Sequence, residues 1–176
     1  MWGLVHPVSG KVTPAIHWTP KKVLGNHSFE EILLGEHHAC GMVVEKRIYT
    51  WGSNEKLSIG DQRLYINDFV PVTSPFEVTL KEKEDTLQIS VHKNTNAILT
   101  NKSVYYWGSW CEESFHFPNK LAFPQKIISK VCAGNGFLIA VSSDLEIWSA
   151  GLNNYGQVFL FCLLFKFIID LNFYFF

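Results

Sequence analysis

The chain has 176 residues and 20.1 kDa, with 15 basic and 16 acidic side chains and a formal charge of −1; 47% of its residues are apolar, 15% aromatic and 18% charged. That composition fills a core and excludes a disordered tail. The balanced charge excludes a sequence-independent grip on DNA, which needs clustered Lys and Arg to displace counterions, so no nucleic-acid partner is predicted.

In chain order, the first segment carries no secretory signal, because His6, Pro7, Lys11, Pro14, His17 and Pro20 interrupt any apolar run. The sequons Asn26-His27-Ser28 and Asn101-Lys102-Ser103 have no signal to give them meaning. Cys40, Cys111, Cys132 and Cys162 lie 71, 21 and 30 residues apart. No C-x-x-C pair exists, which excludes a zinc ribbon or a thioredoxin-like site and leaves reduced thiols in a cytoplasmic or nuclear protein.

A period runs along the chain. Trp-Gly stands at Trp2-Gly3, Trp51-Gly52 and Trp107-Gly108, and Ala150-Gly151 is a fourth, altered copy, at a mean spacing of about 49 residues. Upstream of the last three, the segments starting at Gly35, Val91 and Gly134 align without gaps over 18 residues. Gly41, Ala97 and Ala140 then coincide, as do Met42, Ile98 and Val141, and Tyr49, Tyr105 and Trp148.

Each unit has two short apolar runs around a polar turn, the signature of a β-hairpin. The first pairs Met42–Val44 with Ile48–Trp51 across Glu45-Lys46-Arg47. The second pairs Ala97–Thr100 with Val104–Trp107, and the third Leu138–Val141 with Leu145–Trp148. Tyr49 and Trp51, like Tyr105 and Trp107, sit two apart and share one strand face. Gly52, Gly108 and Gly151 end the strands, and Asn54 and Asn153 suit the loops that follow. Pro20, Pro71, Pro75, Pro118 and Pro124 fall between the repeat segments and mark connectors, and Lys81 to Asp85 reads as a solvated loop. The expectation is all-β, four short strands to a unit.

The segments Gly35–Gly60 and Gly134–Val158 resemble the regulator of chromosome condensation type repeat: a glycine, a histidine three residues on, a hairpin, Tyr-x-Trp-Gly-x-Asn, then Gly-Gln-Leu-Gly. Matching positions are Gly35, His38, Tyr49, Trp51, Gly52, Asn54 and Gly60 in the first copy, and Gly134, Trp148, Gly151, Asn153, Gly156 and Gln157 in the third. The middle copy keeps Tyr105, Trp107 and Gly108, but Val91 replaces the glycine and Asn94 the histidine. The resemblance implies a β-propeller, in this family usually of about seven four-stranded blades. With about three units, the chain is expected to form an incomplete propeller over residues 1–158, an open arc whose edges invite a second copy. After Gln157 the pattern stops and a Phe-rich tail, residues 159–176, begins; it reads as the end of a truncated product or as a membrane-associating segment.

No residue cluster carries enzyme chemistry. His37, His38 and Cys40 are the densest potential metal ligands, but His38 holds the repeat position and reads as a packed side chain. Cys111 and His116, beside Glu112 and Glu113, lie in a connector, and Gly134-Asn135-Gly136 lacks the Lys-Ser/Thr of a phosphate loop. The tryptophans read as inter-blade core. No catalytic residue, metal or cofactor is predicted. The function expected is a protein-interaction module, with recognition in the loops Asn54–Asp61 and Cys111–Asn119. The resemblance leaves two alternatives: nucleotide exchange on a small GTPase of the Ran type, and a propeller fragment tethered to a membrane by its tail.

Overall fold

The computed structural model describes residues 18–20, 22, 26–54, 56–60 and 72–158. Among them are eleven strands and no helix. The first sheet holds β1 (Phe29–Leu34), β2 (His38–Val43), β3 (Ile48–Gly52) and β4 (Val72–Val78). The second holds β5 (Thr86–His92), β6 (Thr95–Thr100), β7 (Val104–Trp110) and β8 (Glu113–Leu121). The third holds β9 (Ile128–Ala133), β10 (Phe137–Ser142) and β11 (Ile147–Gly151). Every sheet is an antiparallel meander in chain order. The Phe-rich tail lies outside the described residues, among which no helix is long and apolar enough to cross a membrane.

Strand register corrects the ungapped alignment. Met42 faces Ile48 and Val141 faces Ile147, but Ile98 faces Tyr105 and Leu99 faces Val104. The cause is turn length. Residues 44–47 and 143–146 join their strands with four residues, whereas 101–103 do so with three. Before the turn, Gly41, Ile98 and Ala140 therefore share a position, as do Met42, Leu99 and Val141, and Thr95 rather than Asn94 occupies the place of His38. After the turn the aligned positions coincide as the sequence implies.

Because alternate side chains point to opposite faces, each β7 residue packs on one neighbour or the other. Tyr105 and Trp107 join Ile89 and Ile98 against Cys40, Met42, Ile48 and Val78 of the first sheet. Val104 and Trp110 join Ala97 and Leu99 against Val131, Leu138, Ala140 and Ala150 of the third. Trp107 is fully buried, and its transfer from water contributes on the order of 2–3 kcal/mol. The first strands draw the sheets together along one edge, β5 against β1 and β2, and β9 against β5 and β6.

Two connector assignments change. Pro75 lies in β4 and Pro118 in β8, both on outer strands, where a missing N–H faces no further ladder. The loop Lys81–Asp85 is exposed except at Glu84, whose carboxylate turns inward to accept hydrogen bonds from Thr100 Oγ1 and from Tyr105 Oη at 3.3 Å. Burial alone would push that carboxyl up; hydrogen bonds from Thr100 and Tyr105, with the nearby Lys120 ammonium, bring the net shift below the ordinary carboxylate range.

Candidate functional site

One end of the sheets gathers the turns between first and second strands with the loops that follow the third. The same backbone bond anchors all three units: Ser53 N donates to His37 O, Ser109 N to Asn94 O, and Leu152 N to Gly136 O. It forms because Gly52, Gly108 and Gly151 hold φ of 110°, 84° and 111°, and a Cβ at any of them would lie within 2.6 Å of the opposing turn's backbone. Neighbouring units are tied as well, by Glu36 N to Lys93 O at 2.9 Å and Cys111 N to Gly136 O at 3.1 Å.

Behind these tips runs a buried polar chain across the first two sheets. His38 Nε2 lies 2.8 Å from Asn96 Oδ1, Asn96 Nδ2 donates to Ser58 O at 3.1 Å, and Trp107 Nε1 donates to the same carbonyl at 2.9 Å. Since the Asn96 amide nitrogen is committed to Ser58, its oxygen accepts, and the His38 proton sits on Nε2. Nδ1 has no partner, and burial holds the imidazole pKa below its ordinary value, so the ring is neutral. Gly35 is required beside it, because a Cβ there would fall 2.2 Å from the His38 ring.

The loop that carries Ser58 recurs. Asn54 Oδ1 accepts from Ile59 N at 3.1 Å, and Asn153 Oδ1 accepts from Val158 N at 2.9 Å. Leu57 and Gly156, each three residues past the asparagine, have φ of 58° and 73°. Gly60 lies against Trp107, its own Cβ position 2.9 Å from the indole nitrogen. Gln157 Oε1 accepts from Tyr155 N at 2.8 Å. In the first sheet Tyr49 and Trp51 are buried under Phe29, with ring centroids 6.1 and 5.6 Å away. Trp148 is half-buried against Phe123.

The residue clusters singled out for chemistry separate in space or turn inert. His37 is exposed in a turn, while His38 and Cys40 are buried, and burial pushes the Cys40 thiol up to about 12. Cys111 forms the tight turn between β7 and β8, and burial with Glu113 and Glu112 raises its pKa, the opposite of what a thiolate nucleophile needs. Residues 113–119 belong to β8 itself, so the expected Cys111–Asn119 loop reduces to a turn and a strand. Gly134-Asn135-Gly136 is the turn from β9 to β10.

Sequence reasoning missed Asn96, Gln88 and Thr95, which join the sheets, and of Ser58 named only the loop Asn54–Asp61 that holds it. Gln88 clasps the Val131 main chain, with Nε2 to O and N to Oε1 both at 3.0 Å, and Thr95 Oγ1 accepts from Gly136 N at 2.9 Å. The three-residue turn concealed Thr95 and Asn96 by moving the second unit's strand before it one place out of step.

No family model matches the chain, and no curated protein matches it. Solved structures do. Human WBSCR16 superposes with a TM-score of 0.66 at 11% identity, over 82% of this chain and 38% of its own. Yeast RCC1 (Prp20), bound to Kap60, gives 0.59 at 19% identity over 71% and 32%. Prp20p of Saccharomyces cerevisiae gives 0.60 at 20% identity over 70% and 33%. The fold is an incomplete β-propeller. Its three sheets are blades, and the chain spans 32–38% of the length of these structures.

Proposed function

We propose that residues 1–158 form a repeat domain that binds a protein partner on the face carrying the blade turns, with no catalysis of its own. The observation that carries this reading is the lattice of backbone bonds beneath that face: one bond repeated in every blade and further bonds between blades. A surface held in this way loses little conformational freedom when a partner settles on it. It offers Glu36, His37, Lys93, Asn135 and Asn154 to solvent, with Tyr155, 93% exposed, as an aromatic anchor. A photo-crosslinking residue at position 155 should then capture a partner that the same residue at position 127, on the opposite end, does not. Equal capture at both positions overturns the reading.

A second reading, guanine nucleotide exchange on a small GTPase, draws support from the likeness to Prp20p, which was solved together with its binding properties to Gsp1p and histones. Accelerated nucleotide release from a panel of small GTPases by the pure chain would establish it; unchanged release removes it.

A further inference from the structure

We infer that Phe29 and His27 form a lid on blade 1, covering from within that blade the face that blades 2 and 3 cover by packing on a neighbouring sheet. The strand registers fix which face this is. Cys40, Met42 and Ile48 point toward blade 2, so Gly41, Tyr49 and Trp51 point away from it. The matching residues of blade 2 are Ile98, Tyr105 and Trp107, which lie against Cys40, Met42, Ile48 and Val78 of blade 1. Those of blade 3 are Ala140, Trp148 and Ala150, which lie against Ala97, Leu99, Val104 and Trp110 of blade 2. Blade 1 is the first of the three sheets among the described residues, yet Tyr49 is only 4% exposed and Trp51 6%.

Phe29 opens β1, and its ring lies directly on Gly41: a Cβ there would fall 2.6 Å from Cδ1 and 2.7 Å from Cε1. The ring meets Tyr49 edge to face and Trp51 at a tilt of 55°. His27 adds a second layer, its ring centroid 4.2 Å from that of Tyr49. Offset and edge-on pairs of this kind are the ones that aromatic quadrupoles favour. His27 stands two residues before β1, as Glu84 stands two before β5 and touches Tyr105. The lid therefore uses a position that reaches the third strand in both blades.

The residue types divide in the same way. Phe29 faces Val43 across the ladder, as Thr86 faces Thr100 in blade 2 and Ile128 faces Ser142 in blade 3. Of the three blades, only blade 1 combines an aromatic ring at this place with a glycine beneath it. Blade 2 has Thr86 with Ile98, and blade 3 has Ile128 with Ala140. The ring needs the space that a missing Cβ leaves, whereas Ile98 is bulk that a neighbouring sheet must cover. The lid stops short of the inner edge, where Ile32 and Leu34 are exposed. It closes the rest of the face, and a further sheet could stack there only by lifting Phe29 away.

Fluorine NMR of the full-length chain labelled with fluorotryptophan tests the lid. Single Trp→Phe substitutions assign the resonances, and the change of shift between light and heavy water reports the exposure of each indole. Trp18, 82% exposed, and Trp107, fully buried, set the two limits. In the native chain Trp51 should lie near the Trp107 limit. Phe29→Thr with Gly41→Ile installs the pair found in blade 2 and should move Trp51 toward the Trp18 limit while Trp107 stays in place. Gly41→Ala, which displaces the ring with one methyl group, should move Trp51 in the same direction. A native Trp51 near the Trp18 limit overturns the inference. So does a Trp51 that stays shielded in either variant with Trp107 unmoved, because the face would then be closed without the lid.

Discussion

His38 shows what a buried polar group demands of its surroundings. Its neutral ring donates to Asn96, and Asn96 in turn holds Ser58 and leaves that carbonyl shared with Trp107. Asn96→Leu should strand the imidazole N–H at once, and the expected loss is about 2–4 kcal/mol in urea unfolding. The same burial gives a pH dependence. The folded-state pKa of His38 lies below its ordinary value of 6.5, so the unfolded chain takes up a proton first. Stability is complete above about 6.5 and falls as pH drops from there toward the folded value. His38→Gln should flatten that slope, and equal slopes in both proteins would show that the ring is not the cause. Glu84 acts in the same direction at lower pH: its depressed folded-state value means that stability present above the ordinary carboxylate range is lost as the group protonates.

Strand and turn lengths decide which side chains meet. The three hairpins, the Trp-Gly ends and the Asn54 and Asn153 loops were legible in the sequence because each rests on a local preference of backbone or side chain. The pairing before the turn was not, because a turn one residue shorter at 101–103 leaves every local signal in place and changes only the partner across the ladder. Edge prolines were misread for a similar reason: Pro75 and Pro118 are barred from central strands, and nothing local distinguishes an outer strand from a connector. The inward turn of Glu84 was hidden too, since its partners Thr100 and Tyr105 come from another part of the chain. Insertion of a glycine after Lys102 should therefore cost less than about 1 kcal/mol, since loop length enters closure entropy only logarithmically. The same insertion between Asn96 and Ala97 reverses the faces of half of β6 and should abolish cooperative unfolding. Leu57 poses a subtler trade at an element's end. It takes the left-handed conformation that Gly156 takes in the third blade, and it is 1% exposed. Leu57→Gly relieves about 1 kcal/mol of backbone strain but empties a buried site worth about 2–5 kcal/mol, so a net loss of stability is expected in thermal unfolding.

At the scale of the whole molecule, the two ends of the arc differ from its middle. Blade 2 is covered on both faces, whereas blade 1 exposes Ile32 and Leu34 and blade 3 exposes Ile147. Cysteine chemistry can follow this division. Cys40 lies sealed between blades 1 and 2 and should resist a thiol reagent until the chain unfolds, while Cys132 is exposed on the open side of blade 3. Cys132 should therefore label in the folded chain well before Cys40 does, and equal labelling rates for the two thiols would contradict this placement.

The clasp of Gln88 on residue 131 reads only an amide N–H and a carbonyl, groups that any residue but proline supplies. A joint of this kind is blind to the side chain it holds. Mutations can therefore accumulate on the gripped strand while the seam between blades keeps its geometry, and a shared architecture can outlast nearly all resemblance of spelling between two chains.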